Sequence, residues 1–173
     1  MARNIEIKVR IGSVEAFAPV VANLADQDPI EMVQDDTFFN CDAGRLKLRS
    51  YSPHQGELIF YQRSDQSGPK ESFYLISRTA EPDSLRAALS LAYGQAGRVR
   101  KHRTLYIAGR TRVHLDRVEG LGHFLELEVV LADGEPVQSG VEIAQHLMAR
   151  LDIDSGQLIE GAYIDLLDKK LVP

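Results

Sequence analysis

In the stretch "GRLKLRS", Arg45, Lys47 and Arg49 fall at every second position, with Leu46 and Leu48 between them. Residues two apart in an extended chain project to one face, so the segment carries three cations on one side and leucine on the other. The pattern recurs. Lys101 and Arg103 share a face in "RKHRTL", as do Arg112, His114 and Asp116 in "TRVHLD". Glu126 and Glu128 place acid in the same way in "FLELEVV", and near the amino terminus Glu6 and Lys8 alternate with Ile5, Ile7 and Val9. Arg63 ends a further segment, two residues after Tyr61. Guanidinium forks and ammonium groups match phosphate oxygens, while nearby carboxylates bind Mg²⁺ or Mn²⁺ that bridges the same oxygens. One face bearing both signs therefore suits a chain of phosphates with a divalent ion.

The elements that must position these residues follow from the same alternation. Residues 3–11, 31–40, 45–51, 57–63, 71–79, 98–108, 111–118 and 123–131 read as eight strands, several joined by short Gly-, Pro- and Asn-containing turns that favour antiparallel pairing. Helices are expected between them. Residues 13–25 open with Ser13 as N-cap and contain Pro19, which either kinks the helix or marks its start. Residues 82–93 open with Pro82, a capping box Ser139-x-x-Glu142 leads a third helix to Leu151, and a short helix over 163–169 closes the chain.

Two architectures accommodate the charged faces. A one-sided antiparallel sheet with solvated polar faces accounts for any single strand. Across strands, however, the signs are segregated, whereas ordinary surfaces intersperse them. Eight antiparallel strands in a short chain favour closure into a barrel, which removes exposed edges. With the apolar faces outward under the helices, the interior becomes a hydrated, charge-lined tunnel.

A chain of 173 residues is the size of one domain, and 44% hydrophobic with 26% charged residues is a globular composition. The net charge of -5 disfavours bulk nucleic-acid binding. A lone cysteine, Cys41, permits no intrachain disulfide, and no run is long enough to span a bilayer or form a signal peptide, so a cytoplasmic protein with no membrane partner is expected.

These residues resemble the CYTH superfamily, the triphosphate tunnel metalloenzymes, which includes class IV adenylate cyclases, thiamine triphosphatases and inorganic triphosphatases. The likeness runs through "QDDTFF" at 34–39, "GRLKLR" at 44–49, "ELIFYQR" at 57–63, "KESFY" at 70–74, "VRKHR" at 99–103, "RVHLD" at 112–116, "LGHFLELE" at 121–128 and "YIDLL" at 163–167. It implies one α+β domain over 1–173, an eight-stranded antiparallel β-barrel with helices packed outside. At matching positions it implies Glu6, Asp116, Glu126 and Glu128 as ligands of Mg²⁺ or Mn²⁺. Lys8, Arg45, Lys47, Arg49, Arg63, Lys101, Arg103 and Arg112 would hold the triphosphate, and Lys8, Glu6 and Glu126 would serve catalysis. The strand 7 and 8 pattern is similar to the bacterial class IV cyclase branch, which implies conversion of ATP to cyclic AMP and pyrophosphate by a homodimer. Hydrolysis of inorganic or thiamine triphosphate is the alternative. The family hallmark Glu-x-Glu-x-Lys reads Asn4-Ile5-Glu6-Ile7-Lys8 here, and the amide in place of a carboxylate raises a third expectation, a non-catalytic nucleotide- or polyphosphate-binding module.

Other residues have plainer readings. His114 lies on the inward face as an orienting group or proton carrier, while His102, His54, His123 and His146 are peripheral. Phe38, Phe39 and Tyr163 are core or lid aromatics, one of Asp35 and Asp36 is a buried hydrogen-bonded carboxylate, and Lys70 is a loop charge or a substrate contact.

Overall fold

The computed structural model describes residues 2–64, 66 and 68–171. Among them are eight strands: β1 (Ala2–Ile11), β2 (Ile30–Phe39), β3 (Arg45–Ser52), β4 (Gln55–Arg63), β5 (Lys70–Thr79), β6 (Gln95–Ala108), β7 (Thr111–Val118) and β8 (Gly122–Leu131). Four helices join them, α1 (Val14–Ala22), α2 (Pro82–Tyr93), α3 (Val137–Arg150) and α4 (Tyr163–Leu171), with a 3-10 turn at Ser155–Gln157. The strands close into an antiparallel barrel in the order β1-β5-β4-β3-β2-β6-β7-β8. Two meanders, β2 to β5 and β6 to β8, are joined through β2–β6, and β1 seals the gap between β8 and β5.

The expected outward apolar face is present where helices cover the wall. Ile5, Ile7 and Val9 of β1, Val113 and Leu115 of β7, and Leu125, Leu127 and Val129 of β8 are fully buried outside the barrel, each contributing roughly 1.5–3 kcal/mol on burial. Helix α1 packs on β7 and β8, and α3 on β1 and β8. Helix α2 also packs on β2, β3 and β4, yet Val33 of β2 and Leu75 of β5 remain 62% and 54% exposed. A smaller cluster of Phe38, Val99, Val118, Phe124, Tyr163 and Ile164 seats α4 across one end of the barrel.

Local signals mostly hold. Ser13 Oγ accepts the amide of Ala16, and the helix starts at Val14 and runs through Pro19, ending at Ala22. The expected capping box at Ser139 and Glu142 is not formed, because α3 begins at Val137, directly after Pro136, so that Ser139 lies inside the helix, and Glu142 instead accepts from Gln138. A reciprocal capping box instead spans the 3-10 turn, from Asp154 as its N-cap to Gln157.

Gly140 allows α3 to approach the barrel closely: a Cβ there would meet Ile5 at 2.5 Å and Leu131 at 2.7 Å. Gly140→Val should lower stability to urea by about 1–3 kcal/mol through overpacking. Gly12→Ala, where a Cβ meets nothing within 4 Å, should leave it nearly unchanged.

Candidate active site

Strand parity and register bring the charged faces together. On β1, Asn4, Glu6 and Lys8 face the interior, and β8 pairs with it so that Glu6 lies opposite Glu128 and Lys8 opposite Glu126. On the other edge of β8, β7 sets Arg112 opposite Glu128 and His114 opposite Glu126. Across the barrel, β2 sets Asp36 opposite Arg49 and Gln34 opposite Lys101. The resulting cavity is about 420 Å³, the size of small-ligand sites. Eight cationic side chains and five carboxylates line it among the described residues.

The cations are not left to repel one another, as segregated faces alone would suggest. Arg49 donates from Nε and Nη2 to both oxygens of Asp36, at 2.8 and 2.7 Å, and the Nζ atoms of Lys47 and Lys101 each lie 3.2 Å from Asp36 Oδ2. Burial opposes ionisation of Asp36, yet Arg49, Lys101 and Lys47 outweigh it and hold the carboxyl well below its usual range. One carboxylate cannot satisfy three cations. Burial and the neighbouring guanidinium groups therefore push Lys47 down to about 8 and Lys101 to about 7.

The carboxylates on β1, β7 and β8 have different companions. Arg63 Nη1 donates to Glu6 at 2.8 Å, and Arg112 Nε donates to Glu128 at 2.9 Å. Glu126 lies 3.6 Å from both Lys8 Nζ and Arg103 Nη2; burial raises its carboxyl, but Lys8 and Arg103 prevail and hold it well below the usual range. Burial in turn lowers Lys8. Its Nζ stands 3.9 Å from the Tyr163 ring centroid and donates to the Gly161 carbonyl, so α4 caps this end of the cavity. The other end is open, where Ile76 lines the cavity yet is 45% exposed. Met32, Tyr51, Ile59, Tyr74 and Leu105 add apolar and aromatic surface to the same space.

Of the residues singled out in the sequence, Glu6, Lys8, Lys47, Arg49, Arg63, Lys101, Arg103, Arg112, Glu126 and Glu128 line the cavity. Arg45 shares their parity but lies outside the lining, where Nη2 donates to both oxygens of Asp165 on α4 at 2.8 Å. Asp116 is fully buried behind the lining; Arg103 grips both its oxygens at 2.7 and 2.6 Å, and the Tyr163 hydroxyl donates to it at 2.7 Å. Lys70 is buried and donates to the Gln66 carbonyl. Glu57 and Arg78, which share the inward parity of their strands, line the open end and were not singled out. Among the described residues one group of three potential metal ligands comes together: His114, Glu126 and Glu128.

A closed eight-stranded antiparallel barrel around a charged interior defines the class of protein. The family model for the CYTH domain matches residues 2–163, and the chain belongs to that family. It is 26% identical over 175 residues to the adenylate cyclase CyaB of Aeromonas hydrophila, covering 96% of this chain and 90% of that one. Its fold is similar to that of the PH1012 protein of Pyrococcus horikoshii, with TM-score 0.84 and 23% identity over 94% of this chain and 98% of the other. It is also similar to HpAC1 of Hippeastrum, described as having a dominant triphosphatase activity, with TM-score 0.65 and 18% identity over 98% of both chains.

Asp36→Asn should leave three buried cations without their shared anion. The expected cost is roughly 3–5 kcal/mol, read by urea denaturation, and tripolyphosphate should recover more stability in this variant than in the parent protein.

Proposed function

We propose that the protein binds a nucleoside triphosphate in the barrel and acts on it as a class IV-type adenylate cyclase, converting ATP to cyclic AMP and pyrophosphate. As a CYTH-domain chain it is a metal-dependent enzyme of phosphoryl or nucleotidyl chemistry. The observation that carries the proposal is the surplus of enclosed cations around Asp36, which an anionic chain with several oxygens would satisfy.

In this reading Lys47, Arg49 and Lys101 receive phosphate oxygens beside Asp36, Arg103 follows Lys101 on the same face of β6, and Arg63 and Arg112 add to them from β4 and β7. Each of these cations already has its direction fixed by a carboxylate, so little ordering is required when substrate enters. The fit of a divalent ion is supported by two ionised carboxylates, Glu126 and Glu128, beside His114 Nδ1, which has no hydrogen-bond partner among the described residues. Mg²⁺ or Mn²⁺ held by those carboxylates would neutralise phosphate oxygens and stabilise the leaving pyrophosphate. Lys8, whose ammonium form burial disfavours, faces Glu126 and is placed to orient or deprotonate the attacking oxygen. Arg45 acts indirectly, by tying α4 to the barrel through Asp165, and Asp116 acts by orienting Arg103 and Tyr163. Glu6 fixes Arg63. The apolar surface from Met32, Tyr51, Ile59 and Leu105 favours a substrate with a base and ribose over a bare phosphate chain. Hydrolysis of the terminal phosphate is the second reading, since the same cations hold the chain and a water then replaces the ribose hydroxyl.

Incubation with ATP, tripolyphosphate and thiamine triphosphate plus Mn²⁺, with products resolved by chromatography, tests the assignment. Cyclic AMP and pyrophosphate from ATP are expected; orthophosphate alone would favour the hydrolase, and no turnover of any of the three would reject both. Glu126→Gln should lower kcat by roughly 10²-fold or more through loss of metal-held charge stabilisation, with the circular dichroism spectrum unchanged.

A further inference from the structure

His114 is among the least exposed polar side chains of the interior, at 4%, and its Nδ1 has no hydrogen-bond partner among the described residues. A buried ring nitrogen without a hydrogen bond carries a desolvation cost and calls for an account. Nδ1 is aimed between two carboxylates, 3.9 Å from Glu126 Oε2 and 3.9 Å from Glu128 Oε1. Those separations are too long for hydrogen bonds. They do suit an ion lying between the atoms, since two metal–donor bonds of about 2.1 Å span donor pairs of roughly 3–4.2 Å. One ligand atom from each of the three residues falls within 4.8 Å of the others, a spread that small side-chain rotations close.

The neighbouring acids have partners of their own. Arg63 engages Glu6, Arg103 and Tyr163 occupy both oxygens of Asp116, and Asn4 offers only a neutral amide. Glu128 and Glu126 also meet cations, Arg112 at 2.9 Å and Lys8 and Arg103 at 3.6 Å, but among the described residues these two acids and His114 are the potential ligands that come together, one nitrogen with two carboxylates. Register secures it, because His114 and Glu126 are directly opposed and Glu128 follows on the same face.

We propose that His114 is a ligand of the metal centre through Nδ1, completing a His-Glu-Glu site that takes a divalent transition ion such as Mn²⁺ in preference to Mg²⁺. The chemistry is that of donor type. Mg²⁺ seeks oxygen donors and sheds water reluctantly, whereas imidazole nitrogen binds first-row transition ions more strongly. The inference deepens the triphosphate reading given above and rests on it for the role of the ion, though the site itself is defined without substrate.

The direct test is pulsed electron paramagnetic resonance on the substrate-free protein loaded with Mn²⁺. Modulation from a directly coordinated ¹⁴N is expected in the parent protein. His114→Gln should abolish that modulation and weaken Mn²⁺ binding about tenfold while changing Mg²⁺ binding less than about threefold, as loss of a nitrogen donor requires. Bound Mn²⁺ without nitrogen coupling, no Mn²⁺ binding, or an unchanged Mn²⁺/Mg²⁺ ratio in the variant would overturn the proposal. The spectrum of the parent protein decides the matter even if the variant does not fold. Tripolyphosphate binding measured in chelator separates the two levels: retained binding without nitrogen coupling refutes His114 as ligand and leaves the triphosphate site standing, and nitrogen coupling without triphosphate binding does the reverse.

Discussion

Asp36 is a single buried carboxylate shared by three cations, and the character of the barrel follows from that shortage. Arg49 takes both oxygens in a fork, and Lys47 and Lys101 share what is left. Charges enclosed at low dielectric interact strongly in both directions, so the cluster is held together by one anion and destabilised by its surplus of like charge. An entering polyanion relieves the surplus without any change of fold.

Closure makes this arrangement sustainable. Period-two alternation sends every second residue of each strand inward, and closing eight strands removes the edges that an open charged sheet would expose. The hydrophobic core must then lie outside the wall, which is why α1 and α3 pack on β1, β7 and β8, the strands whose outward residues are fully buried. The same three strands carry Lys8, His114, Glu126 and Glu128 on their inner faces. The best-supported part of the wall thus holds the groups that need the most accurate placement, while α4 closes one end with Tyr163 over Lys8.

Much of this was legible in the sequence because parity is a local property. Alternation located all eight strands to within a few residues, and it named most of the inward cations and acids. Partnership is not local, and there the reading was less complete. Arg45 has the right parity but meets Asp165 of a helix 120 residues away in sequence. Asp116 has the right parity but lies under Tyr163, and the Asp36 cluster joins three strands whose registers no alternation count can supply. The Ser139 capping box fails for a local reason: Pro136 provides an earlier start for α3. His114 was seen to face inward; its placement between two carboxylates emerges only when β7 is set beside β8.

The central claim is that the interior is a triphosphate site poised by cations short of counter-charge, and its most direct test is proton uptake on binding. With burial and neighbouring cations lowering Lys101 to about 7 and Lys47 to about 8, both are partly unprotonated at pH 8 in the empty protein. Phosphate oxygens beside them favour the charged forms, so binding draws protons from solution and affinity falls as pH rises through this range. Calorimetric titration of metal-free ATP at pH 8, in buffers of different ionisation enthalpy, should show an uptake of about one proton, diminished in Lys101→Met. Proton release, or no binding at all, would contradict the account.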